Sequence, residues 1–211
     1  MITIYHLGAS QSDRIVWLME ELNLPYKLEW YDRMPSMLAP PEYKALHPAA
    51  TSPTIRDGDM VMCESVAIIE YIINRHGGGR LSVAADKPNY PDYLYWMQFN
   101  QSLMAAISVR MVGKDIPDSD KNVFVQSSEQ RLAAYLGHLE QRLGEWEYLA
   151  GSEFTAADIQ NLFAFTTMPR FGGPSISHFK NLSDYVSRIT ARPAYQKAMA
   201  IAGPDAKRPL L

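Results

Sequence analysis

Two short fragments carry residues that could bind and orient a ligand. Thr51-Ser52-Pro53-Thr54-Ile55 reads as a turn entering a short strand, and Cys63-Glu64-Ser65 opens an apolar helix. Pro53 has no N–H and, at a strand start, fixes a turn that is sometimes a cis peptide. Such a turn leaves the N–H and C=O of Ser52 open to an extended ligand, as an exposed sheet edge is. At Glu64-Ser65 a hydroxyl and unpaired backbone N–H groups converge on a helix start, a place suited to a carboxylate. Together the fragments point to a peptide site; for the second fragment alone, ordinary helix capping by Ser65 is the alternative.

The elements that must hold these fragments can be read from periodicity and breakers. Residues 1–7 read as a strand, 8–13 as a loop, and 14–22 as a helix with apolar residues at helical spacing, ended by Asn23 and Pro25. Residues 25–30 alternate like a second strand, so the three form a right-handed parallel crossover. After a loop across 40–48, two short strands near 54–56 and 60–62 are joined by Asp57-Gly58, a strong hairpin signal. Residues 65–76 form a helix, apolar at Val66, Ile68, Ile69, Ile72 and Ile73 and stopped by Gly77-Gly78-Gly79. The order βαβαββα describes an α/β, thioredoxin-like domain.

A chain of 211 residues with 47% apolar content can bury a sizeable core in one large domain or two small ones. The breaker-rich stretch after Gly77 favours two: a thioredoxin-like domain over 1–78, a linker over 79–89 and an all-helical domain over 90–211. In the second, Tyr90–Gly113 and 119–146 are long periodic segments, with shorter ones near 155–167, 182–191 and 194–202. Thr155-Ala156-Ala157-Asp158 has capping-box spacing, with Asp in place of the usual Glu or Gln.

No apolar run is long enough to span a bilayer and no basic region precedes an apolar core at the amino terminus, so a cytoplasmic protein without a membrane partner is expected. The net charge of −3, with Lys and Arg unclustered, argues against nucleic acid. Five scattered histidines lack ligand spacing, so no metal site is expected. The single cysteine, Cys63, reads as a small buried apolar residue rather than a redox thiol beside the ligand site.

Tyr5-His6-Leu7, Ser10, Arg14-Ile15, Glu20-Glu21-Leu22, Ser52-Pro53 and Glu64-Ser65 fall in an order and spacing that resembles the amino-terminal domain of glutathione S-transferases. Farther on, Phe154-Thr155-Ala156-Ala157-Asp158-Ile159 resembles that family's helix-start signature, and Arg192-Pro193-Ala194-Tyr195-Gln196-Lys197-Ala198 its late helix junction. The resemblance therefore spans the chain. It implies a glutathione transferase, a homodimer, that uses glutathione as co-substrate and activates its thiol for attack on a small hydrophobic electrophile.

The resemblance places the catalytic hydroxyl at Ser10, as in serine-type members, although several of those carry it one residue earlier, where this chain has Ala9. Tyr5 and Ser12 are the alternatives, Ser12 being expected to cap the first helix. No cysteine occupies this loop, which disfavours the members that form mixed disulfides. The resemblance further implies that Ser52 pairs its backbone with the cysteinyl unit, that Pro53 holds the turn, and that Glu64 and Ser65 hold the γ-glutamyl amine and carboxylate. Many members meet the glycine carboxylate with Lys, Arg or Gln where this chain has Thr51; His47 or Lys44 could take that part, each being otherwise a solvated loop residue.

Energetically the task is modest. A free thiol titrates near about 8.5, and lowering it by about two units requires roughly 2.7 kcal/mol. One hydroxyl donated to an anion supplies about 1.5–3 kcal/mol and a helix amino terminus about 0.3–1. The electrophile is expected between the domains, against Met104, Ile107, Arg110 and Met111 and then Phe163, Phe165 and Met168, with core packing the alternative for each. A glutathione-dependent peroxidase or isomerase and a non-catalytic binding protein are the competing readings. A regulatory partner like the family's transcription-associated members would be expected to lack Glu64-Ser65, which is present.

Overall fold

The computed structural model describes residues 1–113 and 116–208. The chain forms two units, one from Met1–Ser82 together with the chain from Thr190 onward, the other Val83–Ile189.

The first unit carries β1 (Ile2–Leu7), α1 (Asp13–Leu22), β2 (Tyr26–Tyr31), α2 (Pro41–Lys44), β3 (Thr54–Asp57), β4 (Met60–Cys63) and α3 (Ser65–Arg75), the expected βαβαββα order. The second helix of that order is a single turn inside the segment read as a loop, opened by Pro41, whose missing N–H costs nothing at a helix start. The sheet order is β2-β1-β3-β4, with β1 and β2 parallel and β3 antiparallel to both β1 and β4. In the hairpin Asp57 pairs with Met60, and Gly58, at φ 58°, supplies the positive angle the two-residue turn needs.

Strand alternation sends Ile2, Ile4 and His6 to one face of β1 and Thr3, Tyr5 and Leu7 to the other. Tyr5 and Leu7 pack with Tyr43 of α2 and with Tyr31, Ala39 and Leu46. On α1 the apolar residues Ile15, Val16, Leu18, Met19 and Leu22 are all buried. The helix stops at Asn23, at φ 50° in the left-handed region that Asn tolerates, and Leu24 N–H reaches back to Met19 O at 3.0 Å.

Helix α8 (Pro193–Ala202) returns to this unit rather than staying with the helices that precede it, which the boundary at residue 90 did not anticipate. Arg192 donates to both carboxylate oxygens of Glu21 at 2.7 and 2.8 Å, and the Trp17 and Tyr195 rings meet edge-on with centroids 5.0 Å apart. A bidentate Arg–carboxylate pair fixes orientation as well as charge, so it sets the angle at which α8 meets α1.

The second unit holds α4 (Tyr90–Gly113), α5 (Val123–Glu145), α6 (Ala156–Thr166) and α7 (Lys180–Thr190). Residues 119–146, expected as one helix, divide into a 3-10 turn, Ser119–Lys121, and α5. Between them Asn122 is extended and its side chain accepts the N–H groups of Phe124 and Val125, so α5 begins with its own cap. Helix α6 is buried along its length apart from Thr166. Its expected capping box is formed: Ala157 N–H donates to Thr155 Oγ1 at 3.3 Å, and Thr155 N–H to Asp158 Oδ2 at 2.8 Å. Asp158 also accepts Leu149 N–H and the Tyr185 hydroxyl, joining α6 to the preceding loop and to α7. None of the described helices is long and apolar enough to cross a membrane.

Candidate active site

Ser10 lies in the loop between β1 and α1 and is 5% exposed. Ala9, at φ 50°, turns the chain there, and Ser10 O accepts Asp13 N–H at 3.2 Å as α1 opens. The loop is held from behind by Arg33, just after β2, which donates to Gly8 O at 2.8 Å and to Ala9 O at 3.2 Å. Burial lowers the Arg33 pKa, but a guanidinium stays protonated in proteins, so its positive charge sits against the backbone that carries Ser10.

Ser10 Oγ is 2.8 Å from Ser12 Oγ and 2.8 Å from Ser52 Oγ. Ser12 occupies the first cap position of α1, but its hydroxyl makes no capping bond, which corrects the role expected of it. The backbone at Ser12 is already helical, at φ −70° and ψ −18°, whereas a capping residue is extended so that its oxygen can reach the second or third N–H. Instead Ser12 Oγ sits 2.8 Å from His6 Nδ1 and accepts Leu7 N–H at 3.3 Å. His6 is fully buried against Trp30, ring centroids 4.3 Å apart. Burial, reinforced by the nearby Arg33 charge, lowers His6 from 6.5 to about 4.

The Ser52-Pro53 peptide is cis. Pairing of β3 begins only at Thr54, opposite Tyr5 and Cys63, so Ser52 stands just ahead of the ladder. Thr51 is exposed, and its C=O accepts the Thr54 hydroxyl at 2.8 Å. Across β4, Glu64 adopts φ 76° and ψ 114°, a conformation that costs a non-glycine residue roughly 1–3 kcal/mol. Ser65 is the first residue inside α3 rather than its cap, and Glu64 makes no side-chain capping bond, so the first turn of α3 lacks a side-chain cap there.

His47 Nδ1 is 3.3 Å from Cys63 Sγ and accepts Ala49 N–H at 3.1 Å, while Lys44 is exposed at the end of α2. Tyr5 is committed elsewhere: it is 5% exposed, packs in the Tyr43 cluster, and its hydroxyl accepts the Arg56 Nε–H at 2.7 Å. Ser10, Ser12 and Ser52 are thus brought together directly, and Tyr5 is turned to the opposite face of β1 from His6.

In the second unit Ile107, Phe163, Phe165 and Met168 are buried in the helical core, while Met104 and Met111 stay half-exposed. Arg110 donates to Glu129 at 2.8 Å. Among the described residues no group of 3 or more His, Cys, Asp and Glu side chains could hold a metal ion. Sequence reasoning missed His6 and Arg33. The signal for His6 was a titratable imidazole in a strand with no charged residue, Ile2–Leu7; Arg33 carried none.

Residues 9–75 match the family model for the glutathione S-transferase amino-terminal domain, and residues 99–193 the model for its carboxyl-terminal domain. Glutathione S-transferase 3 of Schizosaccharomyces pombe is 31% identical over 92% of this chain and 85% of its own length. The chain belongs to the glutathione S-transferase family. Within that family it is also similar to GstB of Escherichia coli, 28% identical over 95% of this chain and 99% of the relative. A glutathione S-transferase structure from Actinobacillus pleuropneumoniae superposes with a TM-score of 0.87 at 32% identity, over 97% of this chain and 95% of the other. A family member from Pseudomonas fluorescens, solved with two glutathione molecules bound, shares the fold at a TM-score of 0.76 and 20% identity, over 94% of this chain and 92% of the other. For this glutathione S-transferase, the matched amino-terminal span contains Ser10, Ser12, His47, Ser52, Pro53, Glu64 and Ser65.

Proposed function

We propose that the protein is a glutathione transferase in which the Ser10 hydroxyl donates a hydrogen bond to the glutathione sulfur and so stabilises it as the thiolate, ready for attack on a small apolar electrophile. The observation that carries this reading is the buried Ser10 Oγ, 2.8 Å from Ser52 Oγ at the cis-proline turn. On this reading the turn offers Ser52 backbone groups to an extended tripeptide, whose central residue would present its thiol to Ser10.

Glu64 and the first turn of α3 would take the γ-glutamyl end, the exposed carboxylate meeting the amine and the N–H groups with Ser65 meeting the carboxylate. His47 is the group assigned to the glycine carboxylate, in place of the basic residue that Thr51 lacks. The electrophile is assigned to the apolar surface that includes Met104 and Met111. A hydroxyl donated to the anion supplies about 1.5–3 kcal/mol, enough to lower a thiol pKa by about one to two units. Catalysis then rests on placing the nucleophile and on donors already in position. A cytoplasmic homodimer completes the reading.

The test is a titration with reduced glutathione across pH, following heat and thiolate absorbance, for wild type and Ser10→Ala. Binding with a depressed thiol pKa that Ser10→Ala restores supports the transferase. Binding with an unshifted thiol would leave a non-catalytic glutathione-binding protein.

A further inference from the structure

Polar side chains run inward from the site in series. Ser52 Oγ is 2.8 Å from Ser10 Oγ, Ser10 Oγ 2.8 Å from Ser12 Oγ, and Ser12 Oγ 2.8 Å from His6 Nδ1. The chain ends in the core, where His6 is 0% exposed and its Nε2 has no hydrogen-bond partner. Nothing in the proposed reaction touches His6 or Ser12, yet both are tied to the one hydroxyl on which that reaction depends.

A hydroxyl donates once and accepts at two lone pairs. At Ser12 Oγ, Leu7 N–H donates from 3.3 Å and fills one of those lone pairs. His6 and Ser10 must share the remaining lone pair and the single proton. Were the Ser12 proton spent on the more distant Leu7 O, at 3.4 Å, the one remaining lone pair could not satisfy both 2.8 Å contacts, to Ser10 and to His6, so Leu7 O is not its recipient.

Two arrangements remain. With the imidazole proton on Nδ1, His6 donates to Ser12, Ser12 donates to Ser10, and Ser10, whose other lone pair accepts Ser12 N–H at 3.4 Å, turns its own O–H toward Ser52, from where it can be redirected to a bound thiolate. With the proton on Nε2, every donor reverses: Ser12 donates to His6, Ser10 donates to Ser12, and Ser10 presents only lone pairs to a sulfur anion. The position of one proton on a buried ring therefore decides whether Ser10 can stabilise a thiolate.

The unpartnered Nε2 chooses between them. In the first arrangement it is a bare lone pair; in the second it is a buried N–H with no acceptor, which folded proteins avoid more strictly. We propose that His6 is a positioning residue: held with its proton on Nδ1, it aligns the Ser12 and Ser10 hydroxyls in series so that the Ser10 O–H is free to point outward as a hydrogen-bond donor to the bound thiolate. This rests on the reading of Ser10 as the thiolate's donor. Burial and the Arg33 charge keep the imidazole neutral near neutral pH, so only one of its nitrogens carries a proton.

The test begins with 15N-labelled, ligand-free protein of full length, the His6 signals being assigned by their loss in His6→Asn. Protonated Nδ1 with bare Nε2 is expected. A proton on Nε2, turned toward the Trp30 ring, would overturn the proposal. The second measurement is the pKa of bound glutathione in two variants. His6→Asn keeps a donor at the Nδ1 position and should leave that pKa near the wild-type value. His6→Leu should raise it by about one to two units, the whole effect of a hydroxyl donated to an anion. An unchanged thiol pKa in His6→Leu overturns the proposal; if that variant does not fold, the tautomer still decides. Should Ser10→Ala leave the bound thiol pKa as low as in wild type, the transferase reading itself fails, whereas an Nε2 proton beside a Ser10→Ala effect refutes the relay alone.

Discussion

Ser10 Oγ and Ser52 Oγ stand 2.8 Å apart although 42 positions separate them in the chain. Ser10 belongs to the loop that opens α1, Ser52 to the turn that precedes β3, and their hydroxyls close the gap between the two loops. Ser52→Ala is expected to lower stability by roughly 0.5–1.5 kcal/mol, the net value of one such hydrogen bond. Because Ser10→Ala removes the same bond, the double variant should lose less than the sum of the two. Urea midpoints at constant slope measure this, and strictly additive losses would show that the hydroxyls are not coupled.

Arg33 ties three backbone carbonyls, donating to Gly8 O at 2.8 Å, Ala9 O at 3.2 Å and Met37 O at 2.7 Å. Arg33→Ala should cost roughly 2 kcal/mol, since charged hydrogen bonds are worth more than neutral ones and this group is half-buried. It should also shrink the thiol pKa depression, because the loop that places Ser10 loses its support and its neighbouring charge. Arg33→Lys should recover little, since one ammonium cannot reproduce the guanidinium fork. A variant with wild-type stability and thiol pKa would sink this account.

The buried imidazole makes stability depend on pH in a definite direction. Burial holds His6 neutral down to about 4, while in the unfolded chain it titrates at 6.5. Between those values the unfolded state binds more protons at this residue, so the His6 contribution to stability rises with pH and is lost on acidification. The full loss is on the order of 3 kcal/mol. Asp158, whose buried carboxyl is pushed up to about 6, acts with the opposite sign in this window, so the His6 contribution is read as the difference between the pH dependence of wild type and that of His6→Asn; no difference would remove His6 from the explanation.

Asp158 is expected to serve folding rather than binding. Its carboxylate accepts from Leu149 N–H, Thr155 N–H, Thr155 Oγ1 and the Tyr185 hydroxyl, all buried. Asp158→Ala leaves these donors without their acceptor, at an expected cost of about 3 kcal/mol or more. Calorimetry with glutathione on the fraction that folds should find affinity near wild type. A well-folded variant that has lost glutathione would contradict this assignment.

Much of this protein could be read from neighbours along the chain. Apolar spacing marked α1 and α3, Asp57-Gly58 marked the hairpin, and Thr155 with Asp158 marked the start of α6, because helix period, turn angles and caps depend on residues within a few positions. The turn at Pro53 and the helix start after Glu64 were legible for the same reason. Where one local signal overruled another, as when Asn122 capped α5 inside an apparently continuous helix, the reading slipped. What the tertiary structure alone decided is which side chains meet. Alternation says that His6 and Tyr5 face opposite sides of β1, but not that one side holds Ser12 and the other Arg56. Ser12 reads as a cap until its backbone proves helical and its hydroxyl meets a ring from the strand before it. Arg33 reaches the Ser10 loop because β2 runs parallel to β1 and ends beside it, and Arg192 finds Glu21 across 171 positions because α8 folds back onto α1. Such partners are chosen by packing in three dimensions, where a buried donor must find an acceptor at whatever sequence distance the fold supplies one.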